Sequence, residues 1–274
     1  MRIRTIVLGA AMSIACGGFA MADLTGTVKF DGEAPEPKEI DMGGVPQCAQ
    51  AHADPVYDDT LVVGDNGELA NVVVAIKRED SPDLEGDVPS EPAVLDQEGC
   101  MYEPHVIAMM AGQTLIVKNS DPFLHNVHSM AEINPNFNFG QPNKDPGKKV
   151  ESPKAEETFR VKCDVHPWMS AYIAVFDHPF FAVSDEEGKF AIKNLPDGDY
   201  TVVAWHEKLG RAEEQVTIAD GKGEVEFTFS GGAAAAPSPA INDVVLASTS
   251  GEKKACCGTG CDQKAEAATT ADAK

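Results

Sequence analysis

Apolar and polar side chains alternate with a period of two residues along most of this sequence. The segments TLIVKN, KFAIKN and GEVEFTF show the alternation clearly, and Gly, Pro, Asn or Asp separates such segments. Successive side chains of a strand point to opposite faces of a sheet, so this pattern predicts strands with one buried face. No window of respectable length has the spacing of an amphipathic helix. The sequence therefore predicts an all-β protein built of β-sandwiches.

The first 22 residues have the features of a signal peptide. Arg2 and Arg4 precede a short apolar run, and residues 20–22, Ala-Met-Ala, match the small-x-small pattern of a cleavage site. Cleavage is expected after Ala22, because the apolar run is too short to span a bilayer. The segment before Cys16 also partly matches a lipid-attachment motif, so lipoprotein anchoring is the alternative. Either way, we expect an exported protein, periplasmic or secreted.

Residues 231–274 are small and polar and include no aromatic side chain. Such a segment cannot bury enough apolar area to offset the entropy lost on ordering, which predicts a disordered tail. Its CCGTGC cluster contains Cys256, Cys257 and Cys261. The sequence leaves open whether this cluster holds a soft metal ion or forms a disulfide.

Export would place the remaining cysteines in an oxidising compartment, where disulfides form and persist. Cys48 and Cys100 are predicted to form one. Cys163 then has no obvious partner. A lone thiol in an exported domain indicates a chemical role.

The chain is strongly acidic, with 44 Asp and Glu residues against 22 Lys and Arg residues and a net charge of −22. Nucleic acids and anionic membrane surfaces are therefore poor partners. The charge fits solubility in salty surroundings, and it would also favour a basic protein partner.

A strand, a turn of sequence LPDGDY and a second strand follow one another in residues 184–210. This arrangement resembles the carboxypeptidase regulatory-like family of small, transthyretin-like β-sandwiches, although Pro-Asp-Gly is also ordinary turn chemistry. The early strands of that family have counterparts far upstream, at residues 26–28 and 71–76. The resemblance therefore implies one sandwich that is interrupted by other residues.

We expect residues 94–177 to form a domain inserted into this regulatory-like sandwich. Residues 23–93 would supply its N-terminal strands and residues 178–230 its C-terminal strands. An insertion is tolerated where a surface turn brings the chain ends together. Three small domains in a row are the alternative, and independent folding of residues 24–80 would support it.

The inserted segment contains HNVHSM after a strand and a loop, and then TFRVKCDVHPWMSAYIAVFD, with a Cys-x-x-His-x-x-Met motif near the last strand. Residues 101–176 resemble the cupredoxins, the blue-copper Greek-key sandwiches of the amicyanin and plastocyanin type. The resemblance implies a type 1 (blue) copper centre.

The donor types alone indicate the same metal. A copper ion that changes between two oxidation states is suited by two imidazoles, one thiolate and a weak thioether. His125, Cys163, His166 and Met169 provide that set. Cys163 ends the strand TFRVKC on its core side, and Pro167 prevents a helix, so a short loop can curl the donors around one point. Zinc is the alternative metal, but it gains little from a thioether.

Two histidines of HNVH, His125 and His128, are three residues apart, so a strand points them to opposite faces. The resemblance selects His125 as the ligand. It also implies that Asn126 ties the two ligand loops together by hydrogen bonds. His128 is expected to be an ordinary, partly buried histidine.

Three further histidines, His105, His178 and His206, lie in or beside predicted strands. Each is expected to be a hydrogen-bonded structural residue. The alternative for His178 and His206 is a second metal site where the two domains touch.

A buried copper ion with four protein ligands has no open position for a substrate, so we expect an electron carrier and not an enzyme. The electron is expected to leave through an exposed edge of the His166 ring, beside a docking patch that includes Phe123, Pro167 and Trp168. A redox protein such as a c-type cytochrome or a dehydrogenase, basic at the contact, is the expected partner. The alternative is a copper-carrying or surface-binding module, whose regulatory-like sandwich binds a protein or a glycan.

Overall fold

The computed structural model describes residues 21–81, 84–150 and 157–231. The predicted leader up to residue 20, with Cys16, and the tail from residue 232, with its three cysteines, lie outside the described residues. In chain order the elements are β1 (Met21–Asp31), α1 (Pro46–Ala51), β2 (Val73–Ile76), a short 3-10 helix (Arg78–Asp80), β3 (Ala93–Glu98), β4 (Met101–Glu103), β5 (Val106–Met110), β6 (Leu115–Asn119), β7 (His125–Ser129), β8 (Asn138–Gln141), β9 (Asp145–Val150), β10 (Glu157–Lys162), β11 (Ser170–Phe176), β12 (Phe181–Val183), β13 (Lys189–Pro196), β14 (Gly198–His206), β15 (Gly210–Ile218) and β16 (Lys222–Ser230).

The prediction of an all-β protein is confirmed. The segments with two-residue alternation are strands, and β6 shows why, because Leu115, Val117 and Asn119 are buried while the residues between them are partly exposed. The helix α1 is only six residues long and begins with a proline. Among the described residues, no helical segment has the length and apolar composition of a membrane span.

Four sheets form two sandwiches. Sandwich A consists of the sheets β13-β1-β16 and β12-β2-β14-β15. The LPDGDY turn joins β13 to β14, and β1 lies antiparallel to β13 and parallel to β16. Side chains of both sheets form one apolar core, which includes Leu24, Val28, Val74, Val202 and Phe227.

Sandwich B consists of the sheets β5-β11-β10-β7-β8 and β4-β3-β6-β9. In the first of these, β10 is antiparallel to β7 and β11, while β11 is parallel to β5. The core between the two sheets includes Leu95, Met109, Val117, Val161 and Ile173.

The two sandwiches use different parts of the chain. Sandwich A pairs strands from residues 21–76 with strands from residues 181–230, and sandwich B is built from strands within residues 93–176. An inserted domain would produce this pairing. The domain boundaries given above remain a prediction.

A third apolar layer joins sandwich A to sandwich B. In β2 and β14, Val73 and Trp205 face this layer, while their neighbours face the core of sandwich A. In β11, Phe176 faces it from sandwich B, and the ring of Tyr172 meets that of Trp205 edge to face, with centroids 5.2 Å apart. Strands buried on both faces carry continuous apolar runs in place of alternation, which explains the sequence NVVVAI of residues 71–76.

The connection between β1 and β2 also reaches sandwich B. The strands β1 and β2 both belong to sandwich A, but Met42 and Cys48 of the connection between them lie in the core of sandwich B. Cys48 and Cys100 form a disulfide with their Cα atoms 5.6 Å apart, and the Nε2 atom of His52 lies 2.5 Å from the carbonyl oxygen of Gly99. The disulfide and this contact therefore attach the connection to sandwich B.

An ion-pair cluster at the sandwich interface holds His105. Its Nε2 atom lies 2.5 Å from a carboxylate oxygen of Glu207, which follows β14, and its Nδ1 atom lies 3.1 Å from Asp59. Burial alone would lower the pKa of His105, but the two carboxylates outweigh it and raise the pKa to about 9. His105 is therefore a charged link from sandwich B to Glu207 of sandwich A at neutral pH.

This link predicts a pH-dependent stability. The pKa of His105 is raised above its unfolded value of about 6.5, so its contribution is complete below that pH and disappears as the pH rises through about 9. We expect the free energy of unfolding to fall by up to about 3 kcal/mol across this window. A His105→Asn variant should lack this fall, which urea unfolding at a series of pH values would measure. Parallel pH profiles for the two proteins would contradict the prediction.

Candidate metal centre

Cys163 directly follows β10 on its buried face. Phe159 and Val161 point the same way, and all three side chains are at most 3% exposed. The alternation of TFRVKC predicted this orientation, because residues two apart in a strand share a face. The thiol therefore enters the core of sandwich B where the strand ends. Among the described cysteines it is the one outside the disulfide.

The loop from Cys163 to Met169 closes on itself. The backbone N–H of Cys163 donates to the carbonyl oxygen of Met169 over 3.2 Å, and that of Met169 donates to the carbonyl oxygen of His166 over 3.1 Å. The backbone N–H of His166 also points at the Cys163 sulfur, 3.3 Å away. These bonds fix the conformation of the loop.

His125 comes to the same point from β7. Its Nδ1 atom lies 3.0 Å from the Nδ1 atom of His166, which is 3.8 Å from the sulfur of Cys163. Ligand atoms of these three buried residues all lie within 4.8 Å of one another. Three of the four sequence-predicted ligands are thus brought together, and Met169, the fourth, is fully buried in the same core cluster.

His128 points away from this centre. His125 is fully buried, whereas His128 is half-buried with its Nδ1 atom 3.0 Å from a carboxylate oxygen of Asp164. Asn126 lies between them in sequence and connects the two ligand segments. Its side-chain oxygen accepts a hydrogen bond from the backbone N–H of Asp164 over 3.0 Å, and its amide donates to Asn138 on β8.

Asp121 is a residue of the centre that the sequence interpretation missed. Its carboxylate lies 2.7 Å from the Nε2 atom of His125 and accepts hydrogen bonds from the backbone N–H groups of Gly99 and Cys100. A carboxylate held in this way keeps the proton on Nε2 and leaves the Nδ1 lone pair of His125 directed to the centre. The only signal in the sequence is a carboxylate four residues before the histidine.

Both histidines of the centre are neutral near pH 7. Burial lowers the pKa of His125, and the nearby Asp121 opposes this only in part. Burial, together with His125, lowers the pKa of His166 to about 4. Neutral imidazoles keep a lone pair, so no proton must leave before either ring binds a metal ion.

The expectation of an exposed His166 edge is wrong. The side chain is 1% exposed, and its Nε2 atom lies 3.6 Å from the sulfur of Cys48. The ring of Trp168 lies beside it, with centroids 5.3 Å apart, and donates a hydrogen bond from Nε1 to the carbonyl oxygen of Cys100. The β1–β2 connection covers this edge, and nothing in the sequence of the ligand loop indicates that a segment so distant lies over it.

The remaining histidines have partners of their own. The Nε2 atom of His178 lies 3.1 Å from the carbonyl oxygen of Ile76, and the Nδ1 atom of His206 accepts from the backbone N–H of Lys208. With the His105 ion pairs, this agrees with structural roles. Every group of three or more close donor residues found in the described part of the chain lies at the centre around His125 and His166, so nothing supports a second site from His178 and His206.

The donor set fits copper. Two imidazoles and one sulfur converge in a buried space, with a thioether residue in the same core cluster. A catalytic zinc site leaves one position for water, and structural zinc sites use four thiolate or imidazole donors. The centre around His125 and His166 has two imidazoles, one thiol and a methionine, which matches neither kind of zinc site.

Comparisons with solved structures give matches to cupredoxins. A copper-containing nitrite reductase from Thermus scotoductus SA-01 is 21% identical, over 31% of this chain and 22% of its own, with a TM-score of 0.27. An oxidised variant of amicyanin is 21% identical, over 37% of this chain and 97% of its own, with a TM-score of 0.28. A purple cupredoxin from Nitrosopumilus maritimus is 20% identical, over 30% of this chain and 98% of its own, with a TM-score of 0.25.

This chain thus spans about a fifth of the nitrite reductase's length, and each match leaves well over half of this chain uncovered. No protein-family model matches the chain, and no curated protein matches it.

Proposed function

We propose that this protein is an exported type 1 copper protein that transfers single electrons. The observation that carries the proposal is the convergence of His125, Cys163 and His166 in a buried space beside Met169. A copper ion bound there would supply a one-electron redox couple.

The residues of the chain favour electron transfer because they hold the donors rigidly. The loop from Cys163 to Met169 is closed by its own backbone hydrogen bonds, and Asp121 and Asn126 fix His125 and the ligand segments from outside. Donors that cannot move keep a similar geometry in both oxidation states, which lowers the reorganisation that accompanies each transfer. Burial of the donors excludes water and leaves no open position for a substrate, so we propose no enzymatic activity.

A route out of the centre is offered by Trp168 in place of the exposed histidine edge. Its ring contacts the buried ring of His166 and is itself half-buried, so it reaches the protein surface. Pro167 and Val165 beside it are exposed. A redox partner docking there would meet the aromatic ring next to the ligand. The acidic chain favours a basic partner, such as a c-type cytochrome or a dehydrogenase, through a salt-dependent encounter.

The proposal is tested by adding copper(II) to the full chain and recording its visible absorption and electron spin resonance spectra. We expect one equivalent to give an intense charge-transfer band and the narrow copper hyperfine splitting of a thiolate-bound type 1 centre. The copper should also be reduced and reoxidised reversibly, and excess zinc should not displace it. A colourless protein that takes up only zinc would overturn the proposal.

The route through Trp168 gives a separate prediction. Replacing it by leucine removes the aromatic contact with His166, and we expect electron exchange with a small cytochrome to become several-fold slower while the charge-transfer band stays. The matched variant Trp168→Phe keeps a ring there but loses the hydrogen bond to Cys100, and should exchange at nearly the parent rate. Stopped-flow kinetics would measure both. Equal rates for the leucine variant and the parent would exclude this route.

A further inference from the structure

The Cys48–Cys100 disulfide lies against the candidate metal centre. The ring of His166 lies between the disulfide and the centre. Its Nδ1 atom faces His125 and Cys163, whereas its Nε2 atom lies 3.6 Å from the sulfur of Cys48. Ligand atoms of Cys48, Cys100 and His166 lie within 4.8 Å of one another, and all three side chains are at most 1% exposed.

We propose that reduction of this disulfide creates a second metal site, which binds copper(I) through Cys48, Cys100 and the Nε2 atom of His166. This inference goes beyond the proposed function, and the second site shares only His166 with the first. A disulfide sulfur is not a thiolate ligand, so in the oxidised protein this site is closed.

The reductant would be a dithiol. Two electrons and two protons pass from it to the disulfide, so the S–S bond of Cys48–Cys100 breaks, two S–H groups form, and the dithiol becomes a disulfide. Binding of one copper(I) ion then releases the two thiol protons to solvent, and also the Nε2 proton of His166 when Nδ1 of that ring already holds the copper of the first site. No net oxidation or reduction of the copper is involved.

The donors favour copper(I) over zinc. Two thiolates and one imidazole suit a soft ion of low coordination number, whereas structural zinc requires a fourth donor. A further donor outside the first centre is Asp121, which groups with Cys100 and His125. Its oxygens already accept from the Gly99 and Cys100 backbone N–H groups and contact His125.

The backbone needs no rearrangement to open the site. The Cα atoms of Cys48 and Cys100 are 5.6 Å apart, so a change of side-chain rotamer lets two separate sulfurs reach one ion. Cys48 is held on α1 and Cys100 by its backbone bond to Asp121 and by Trp168. These contacts would keep the thiols in place after the S–S bond is broken.

The test measures copper(I) binding to the full chain under anaerobic conditions, before and after treatment with a dithiol that is then removed. The tail cysteines Cys256, Cys257 and Cys261 are first replaced by serine, because they would also bind copper(I). Titration of free thiols should show two new thiols, and competition with a chromophoric copper(I) chelator should show one further copper ion per chain.

Variants separate this site from the first. Cys48→Ser and Cys100→Ser should each abolish the extra copper and leave the charge-transfer band of the first site with copper(II). Cys163→Ser should lose that band but keep the extra copper(I), and X-ray absorption should then show sulfur and nitrogen neighbours. Equal copper uptake before and after reduction, a disulfide that resists reduction in the folded protein, or extra copper in Cys48→Ser would each overturn the inference.

Discussion

Replacing Cys163 by serine is expected to abolish the intense visible absorption of the copper-loaded protein. That absorption requires electron transfer from a thiolate to the metal, and Cys163 supplies the sulfur in the group with His125 and His166. A serine hydroxyl is nearly the same size but does not ionise near neutral pH. We therefore expect complete loss of the charge-transfer band and much weaker copper binding, measured by visible spectroscopy and by competition with a copper chelator.

The matched control is a Cys48→Ser, Cys100→Ser double variant, which removes the other two described cysteines and keeps Cys163. It should retain the band, although the loss of a disulfide that closes a span of 52 residues should lower the free energy of unfolding by about 4 kcal/mol. If the band survived in Cys163→Ser, the thiolate assignment and the proposed copper site would both be wrong.

The ligand loop was predictable because its information is local. Cys163, His166 and Met169 are three residues apart, and a proline in a short loop restricts the conformations that it can adopt. His125 is distant in sequence, but the strand register brings it near. The β7–β10 pairing sets Lys162 opposite His128, which places His125 beside the loop that follows β10. Register is fixed by which face of each strand is apolar, so the alternation carries this information too.

Two strands that the sequence did not predict, β8 and β9, have little buried surface. β8 and β9 lie at the edges of the two sheets of sandwich B and are mostly exposed. Their sequences, NFGQ and DPGKKV, are polar and contain glycine or proline, which suits an edge strand but gives no apolar alternation. They are strands because each pairs with one neighbouring strand, and not because either has a hydrophobic face.

The cover over His166 was not predictable for a different reason. Cys48 lies in a segment with no strong periodicity. In its six-residue helix, the side chain of Cys48 is the one that is buried. Pairing Cys48 with Cys100 indicates that two segments meet, but it does not indicate that they meet against a ligand. Asp121 was missed likewise, because its role depends on a turn that brings Gly99 and Cys100 to its carboxylate.

Replacing Trp205 by alanine is expected to lower the free energy of unfolding by about 3–5 kcal/mol, the usual cost of truncating a buried aromatic side chain. Trp205 is 6% exposed in the apolar layer between the two sandwiches, and its ring contacts Tyr172 of β11. The variant therefore removes contacts that belong to the interface and not to either sandwich core.

The two tryptophans of the chain make this experiment informative. Without Trp205, Trp168 is the only tryptophan, and its fluorescence during urea unfolding reports on sandwich B beside the metal centre. Trp205→Phe is the matched control, since it has the same single reporter but keeps a ring at the interface, and its loss of stability should be clearly smaller. A Trp168 transition at the same urea concentration in both variants would show that sandwich B unfolds independently of the interface. If the Trp168 transition moves to a lower urea concentration only in Trp205→Ala, the apolar layer between the sandwiches stabilises sandwich B, which holds the ligands.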